Sequence, residues 1–206
     1  MSKVVIQGNA SGTGNFTIAA PNSNTDRTLT LPDVAGTVLT SGSNADFPAG
    51  SVLQVVQTQK TDTFSMTGTT WTDITGYSVN ITPSSSSNKI LIMADMTIGS
   101  TAYNAYVRLL RGSTPIHVGD TAGSRPLVTA TPGWYASSTY DQYGATQSSI
   151  QWLDSPATTS QITYKFQMRQ YYTSYSGYLN RTAIDRDTAN YEPRFASTIT
   201  AMEIAG

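Results

Sequence analysis

The sequence Lys89-Ile90-Leu91-Ile92-Met93-Ala94-Asp95-Met96-Thr97-Ile98 is a strand-like run that follows the turn cluster Pro83–Asn88. Similar runs recur on both sides of it, and none has the period of an amphipathic helix. The candidate strands are Val52–Thr58, Gly76–Ile81, Lys89–Ile98, Ala102–Leu110, Ile116–Val118, Gln147–Leu153, Gln161–Gln170 and Ser197–Ile204. Many short strands without intervening helices predict an all-β, antiparallel sandwich or barrel rather than a parallel α/β sheet.

The segment before these strands is predicted to form a separate unit. Short apolar pairs occur there, and a linker rich in glycine and serine begins at Ser41, so we predict one unit over residues 1–47 and a second over residues 48–206. So few apolar residues cannot form a core alone. We therefore expect other chains to cover the first unit, chiefly at Phe16, Ile18, Leu29, Leu31, Val38 and Leu39.

The composition excludes several classes of partner. Lysine and arginine total 12 and aspartate and glutamate total 13, giving a net charge of -1, so nucleic-acid binding is not expected. There is no cysteine, which excludes disulfides and thiolate zinc sites. No apolar run approaches the ~20 residues that a membrane-spanning helix needs, and the N-terminus lacks the pattern of a secretory signal. We expect synthesis in the cytosol without membrane insertion.

The N-terminal unit resembles a known element of bacteriophage tail fibres. Gly14–Pro21, Asn24–Asp33 and Gly36–Leu39 are similar to the pattern TI-x-APxTNTxRTLTLPDxxGTLL of those proteins. Further stretches, at Pro48–Val56 and Leu153–Pro156 among others, resemble structural proteins of aquatic phages.

The resemblance implies a virion protein with two parts. Residues 1–47 would anchor it to the virion, and a C-terminal β-domain, a jelly roll of the tumour-necrosis-factor or C1q type, would form a trimer. The chain lacks a collagen-like repeat, a heptad segment and a shaft between its two units. We therefore predict a short homotrimeric tail fibre on the exterior of the virion, in contact with other phage tail or capsid proteins. The alternative is a capsid decoration or head-fibre protein with a purely structural role.

Two aromatic groups are the candidate receptor-binding residues. Tyrosine among serine and glycine is typical of binding loops, because the ring gives contact area at low entropic cost. The predicted residues are Trp134, Tyr135, Tyr140, Tyr175 and Tyr178, and the predicted ligand is a host-surface polysaccharide. For Tyr171 and Tyr172 we expect packing instead, in the core or between subunits.

A charged cluster stands out in a chain with only 12% charged residues. We predict that Arg181, Asp185, Arg186 and Asp187 form ion pairs between subunits. A calcium site at the aspartates is the alternative, but their spacing lacks the pattern of a calcium loop. His117 is the only histidine and has no predicted acid or nucleophile nearby, so we expect no catalytic residues, no metal and no cofactor.

The apolar strand residues are predicted to divide between the sandwich core and a threefold axis. They are Val52, Leu53, Val55, Val56, Ile90, Leu91, Ile92, Val107, Leu109, Ile199 and Ile204. In a trimer, three equivalent loops would turn a weak contact with a repetitive surface into strong attachment by multivalency.

Overall fold

A computed structural model of the chain describes residues 47–132, 143–187 and 190–206, together with positions 11–14, 17, 22, 24–26, 28, 30, 33 and 35. The chain divides into two units, residues 1–38 and residues 39–206. The strands described below belong to the second unit. The predicted boundary between residues 47 and 48 stays a prediction, and the six predicted attachment residues lie outside the described positions.

Among the residues that the structure describes, ten strands form two antiparallel sheets, which confirms the all-β prediction. They are β1 Val52–Lys60, β2 Phe64–Thr67, β3 Thr72–Ile81, β4 Lys89–Ser100, β5 Tyr106–Arg111, β6 Thr114–Ile116, β7 Thr146–Asp154, β8 Ile162–Arg169, β9 Ser176–Leu179 and β10 Ser197–Ile204. The first sheet has the order β1-β10-β4-β9-β2, with β7 paired to β4, and the second has the order β3-β8-β5-β6. Within the described residues, no helix is long and apolar enough to cross a membrane.

Strand β4 organises the first sheet because it has neighbours along both sides. β7 pairs with residues from Ile90 to Ile98 on one side. On the other side, β10 pairs with the first half of β4 and β9 pairs with its end. This central position explains why the β4 sequence is a nearly continuous apolar run.

The core lies between the two sheets and takes alternate residues from each. In β8, Ile162, Tyr164, Phe166 and Met168 are buried, and the intervening residues are half-buried. Tyr77 of β3 stacks on Phe166 at 5.5 Å between ring centroids. Its hydroxyl crosses to the first sheet and donates to the carbonyls of Asp95 (2.9 Å) and Thr198 (2.8 Å). Burial raises the pKa of Tyr77, so its phenol remains a neutral donor that joins the sheets.

The predicted core residues separate into three groups. Ile90, Ile92, Val107, Leu109 and Ile199 are fully buried. Leu53, Val56, Leu91 and Ile204 are half-buried. Val52 and Val55 are each 54% exposed, so they do not belong to the sandwich core of the chain, and their place on a threefold axis stays a prediction. The reason is positional: Val52 lies beside a register shift at the start of β1, and Val55 points to the outer side of the sheet.

The predicted and observed strands differ in several places: β2 and β9 were not predicted, β6 lies at Thr114–Ile116 rather than Ile116–Val118, and β5 begins later than predicted. The segment Ala102–Ala105 is irregular rather than extended, because Tyr103 adopts a left-handed conformation with φ of +56°. β5 consequently begins at Tyr106.

Candidate functional site

Alternation along two neighbouring strands places polar and aromatic residues together on the outer face of the second sheet. β8 directs Lys165, Gln167 and Arg169 outward, because its other residues face the core. The register with β5 sets Tyr106 opposite Arg169, and Arg108 opposite Gln167. Directly paired residues of antiparallel strands share a face of the sheet. Five side chains from β5 and β8 therefore line one surface.

Trp71, which immediately precedes β3, lies against the two arginines of this surface. The guanidinium carbon of Arg108 is 4.2 Å from the centroid of the Trp71 ring. The guanidinium carbon of Arg169 is 5.6 Å from the Trp71 ring and 5.5 Å from the Tyr106 ring. These distances are those of cation–π contacts. Together, Trp71, Tyr106, Arg108 and Arg169 form what we call the arginine–tryptophan patch.

The positive charge of the patch is incompletely neutralised. Both Nε and Nη2 of Arg108 donate to the neutral Gln167 Oε1, at 2.9 and 2.7 Å. The buried Nε of Arg169 has no hydrogen-bond partner. Burial lowers the pKa of Arg108, and the neighbouring charge of Arg169 lowers it further, against a smaller opposing effect of Asp73. The carboxylate of Asp73 is occupied by Lys165 at 2.6 Å and by Gln167 at 2.7 Å.

Four tyrosines gather beside the patch, on the connections between β4 and β5 and between β8 and β9. Tyr103 lies 5.6 Å from Tyr171, 6.4 Å from Tyr172 and 5.6 Å from Tyr175, between ring centroids. Tyr171 and Tyr172 meet edge to face at 4.5 Å. We call Tyr103, Tyr171, Tyr172 and Tyr175 the tyrosine cluster. Tyr171 and Tyr172 are 47% and 51% exposed, so the cluster presents ring surface to solvent.

The tyrosine cluster and the arginine–tryptophan patch are continuous. Tyr106 of the patch and Tyr171 of the cluster are 6.5 Å apart, edge to face. A pocket of about 170 Å³ opens at this junction, lined by Tyr103, Asn104, Tyr106 and Tyr171. Sites for drug-sized ligands have volumes of about 300–1,000 Å³, so this pocket suits one ring rather than a whole ligand.

The predicted receptor-binding residues fall in three places. Tyr175 belongs to the tyrosine cluster. Tyr178 does not: it lies in β9, with the guanidinium carbon of Arg181 at 3.7 Å from its ring centroid. Trp134, Tyr135 and Tyr140 lie outside the described residues. Tyr171 and Tyr172 are exposed in the chain, so the expectation that they pack in its core is wrong, whereas packing between subunits stays a prediction.

Sequence reasoning missed the arginine–tryptophan patch. Its residues come from three segments that are distant in sequence, and single arginines in strands carry no motif. The available signal was the alternation Tyr106, Arg108 in β5 and Lys165, Gln167, Arg169 in β8, which marks an outer face rich in long polar side chains.

The predicted inter-subunit ion pairs have partners within the chain. Asp185 is 3.5 Å from Arg181 and 2.7 Å from Arg194, and Arg186 is 2.9 Å from Glu192. Asp187 is exposed. A role for these residues between subunits stays a prediction. Among the described residues, no three histidine, cysteine, aspartate or glutamate side chains converge as they would in a metal site.

A second surface lies on the outer face of the first sheet. One cross-strand row joins Val55, Met202, Leu91 and Leu153, on β1, β10, β4 and β7 respectively. Val55 is 54% and Leu153 46% exposed, and the two residues between them are half-buried. We call these four residues the apolar row. The next row, Gln57, Thr200, Met93 and Gln151, is also uncharged.

Comparisons with known proteins give weak structural similarities. No protein-family model and no curated protein sequence matches the chain. Among solved structures, the chain is similar to one described as "Structure of infectious bursal disease virus Gx strain", with 15% sequence identity and a TM-score of 0.36. The similarity covers 84% of this chain and 43% of the viral chain, so this chain spans less than half of that relative's length. At this TM-score, the similarity carries no argument about function.

Proposed function

We propose that this chain is a bacteriophage virion protein without catalytic activity, the subunit of a short homotrimeric tail fibre that adheres to the host surface. The resemblance of residues 14–39 to the tail-fibre element supports the assignment to a virion. In this proposal residues 1–47 attach the fibre to another tail or capsid protein, and the second unit trimerises and binds a host polysaccharide.

The observation that carries the adhesive role is the exposed tyrosine cluster. It stands on connections between strands of a two-sheet scaffold, which is where binding residues are commonly placed. Tyrosine rings offer large, rigid contact area at low entropic cost, and their hydroxyls add hydrogen bonds. Sugar rings present apolar faces edged by hydroxyls, so the cluster matches them in both respects.

The apolar row supports association of copies of the chain through the first sheet. Four neighbouring apolar side chains in a row across the outer face of a sheet are typical of a protein–protein contact. The row on one side of it is uncharged as well, and the row on the other side has the single charge of Lys89, so two copies meeting there bring few like charges together. The occupant that we propose is therefore a second copy of this chain.

The order of the strands supports the jelly-roll assignment. β1, β10, β4 and β7 lie side by side in the first sheet, and β3, β8, β5 and β6 lie side by side in the second. We infer that this order is that of an eight-stranded jelly roll built from two Greek keys. β2 and β9 extend the first sheet beyond that set. Trimeric domains of the tumour-necrosis-factor and C1q type use the same arrangement.

A binding assay on host cells tests the adhesive role. The fluorescently labelled full chain is incubated with cells of the host, and bound fluorescence is measured for the natural chain and for the double variant Tyr171→Ser, Tyr172→Ser. We expect binding to fall at least about tenfold, since stacking contacts of this kind are each worth ~1 kcal/mol or more. Tyr191→Ser is the matched control, because Tyr191 is an exposed tyrosine outside the cluster. Equal binding by both variants would contradict adhesion through the tyrosine cluster.

The position of the chain on the particle separates the tail fibre from the capsid decoration protein. Virions are labelled with gold-conjugated antibodies against residues 48–206 and viewed by electron microscopy. We expect gold at the tail. Gold spread over the capsid would replace the tail-fibre assignment with the structural alternative.

A further inference from the structure

We propose that the arginine–tryptophan patch binds a carboxylated sugar, so that the ligand of the fibre is an acidic polysaccharide. The proposal rests on the adhesive function above and adds the chemical class of its ligand. It assigns separate tasks to the two adjoining surfaces: the tyrosine cluster stacks on sugar rings, and the patch pairs with their carboxylates.

The charge of the patch favours an anionic ligand. Four of the described arginines lie within 4 Å of a carboxylate, namely Arg111, Arg181, Arg186 and Arg194. Within the part of the chain that the structure describes, Arg108 and Arg169 have no such partner, although they share the ring of Trp71. Two like charges held on one ring repel each other. A bound anion would relieve that repulsion.

The guanidinium groups of the patch are preorganised for binding. The guanidinium of Arg169 lies between the rings of Trp71 and Tyr106, and Gln167 holds that of Arg108. A guanidinium that is already fixed loses little freedom when it binds. Its planar fork suits two parallel hydrogen bonds to a carboxylate, a geometry that a lysine would not provide. The patch therefore presents fixed donors.

The surroundings of the patch favour a sugar over an acidic peptide. The junction pocket of about 170 Å³ is lined by tyrosine rings and Asn104, which is a size and chemistry suited to one sugar ring. A peptide would need an apolar groove or several pockets at alternate positions. A repetitive polymer also suits a trimer, because three equivalent patches can bind it together.

Matched polysaccharides provide the test. The immobilised full chain is exposed to alginate, polygalacturonate and polysialic acid, to the carboxyl-reduced form of each, and to the neutral polymers dextran and mannan. Binding is measured by biolayer interferometry at low and high salt. We expect at least one acidic polymer to bind, its carboxyl-reduced form to bind at least about tenfold more weakly, and salt to weaken binding by screening.

Variants assign the binding to the patch. Arg169→Gln and Arg108→Gln are each expected to weaken binding of the acidic polymer at least about tenfold, as loss of a charged hydrogen bond does. Arg125→Gln is the matched control, because Arg125 is exposed in a turn and its loss changes the net charge equally. Arg169→Lys is expected to restore part of the affinity. Thermal unfolding of each variant verifies that it folds.

The outcomes separate this proposal from the proposed function. Binding that survives carboxyl reduction but falls in Tyr171→Ser would keep the adhesive function and overturn the acidic ligand. Absence of acidic-polymer binding, or equal loss in Arg125→Gln, would also overturn it. If a poly-glutamate peptide binds as tightly as the best polysaccharide, the patch is a site for an acidic protein instead.

Discussion

At the scale of single residues, the buried carboxylate of Glu203 has the most explicit energetic role. Its side chain, in β10, accepts hydrogen bonds from Gln54 (2.6 Å), from the backbone and hydroxyl of Ser84 (2.6 and 2.8 Å) and from Asn88 (2.6 Å). Burial raises the pKa of Glu203, but these hydrogen bonds outweigh burial, and the net pKa lies below its ordinary value of 4.5. The charged carboxylate therefore joins the turn after β3 to β1 and β10.

This lowered pKa predicts acid sensitivity. The unfolded chain takes up the Glu203 proton more readily, so the stability that the carboxylate contributes is complete above pH 4.5 and is lost as the pH falls through the lower, folded-state pKa. We expect Glu203→Gln to lower the free energy of unfolding by about 1–3 kcal/mol at pH 7 and by less at pH 3. Urea unfolding at both pH values measures the difference, and an equal loss at pH 7 and pH 3 would contradict the assignment.

Asn180 supports a second prediction at this scale. It is fully buried with a left-handed φ of +63°. Its amide donates to the carbonyls of Lys60 (2.8 Å) and Asp62 (3.0 Å), and its side-chain oxygen accepts from Ser197 (2.6 Å). We expect Asn180→Ala to cost about 1–3 kcal/mol for the unpaired polar groups, and about 1–2 kcal/mol more for the backbone conformation.

Asn180→Gly is the control for the backbone contribution. Glycine adopts the left-handed conformation freely, so it loses the hydrogen bonds alone. Urea unfolding should therefore rank the Gly variant between the natural chain and the Ala variant. A Gly variant no more stable than the Ala variant would show that the conformation carries no cost.

At the scale of elements, the close approach of β4 to the segment after β9 supports another prediction. A Cβ built on Gly99 would lie 2.6 Å from the Arg181 carbonyl oxygen and 3.0 Å from Thr182 Cα. Both are backbone atoms, so relief requires the chain to move. We expect Gly99→Ala to lower the free energy of unfolding by about 1–3 kcal/mol. Gly119→Ala is the control because its Cβ meets nothing within 4 Å, and an equal effect in both would contradict the close approach.

The elements also show what the sequence could and could not predict. β4 was predictable because it is a long apolar run in the middle of the first sheet, and β10 was predicted with its observed bounds. β2 and β9 were missed, since each has only four residues and takes its partners from distant parts of the chain. The arginine–tryptophan patch also depends on pairing between segments that are distant in sequence, so no local sequence pattern predicted it. The tyrosine-rich composition of the cluster was visible in the sequence, but the exposure of its rings to solvent was not.

At the scale of the whole molecule, the two sheets offer different outer faces. The second sheet carries the arginine–tryptophan patch, beside the tyrosine cluster, and the first carries the apolar row. A chain that associates through the first sheet leaves the second free to bind. Three copies would then display three patches, and the linked contacts would strengthen attachment beyond that of one copy.

Self-association through the apolar row determines the mass of the chain in solution. Sedimentation equilibrium of the full chain, of 22.1 kDa, should give three times the mass of one chain. The double variant Val55→Asp, Leu153→Asp should give the mass of a monomer, because buried like charges oppose contact. Thr75→Asp, at an exposed position of β3, should leave the trimer intact. A folded natural chain that sediments as a monomer at every concentration would contradict the claim.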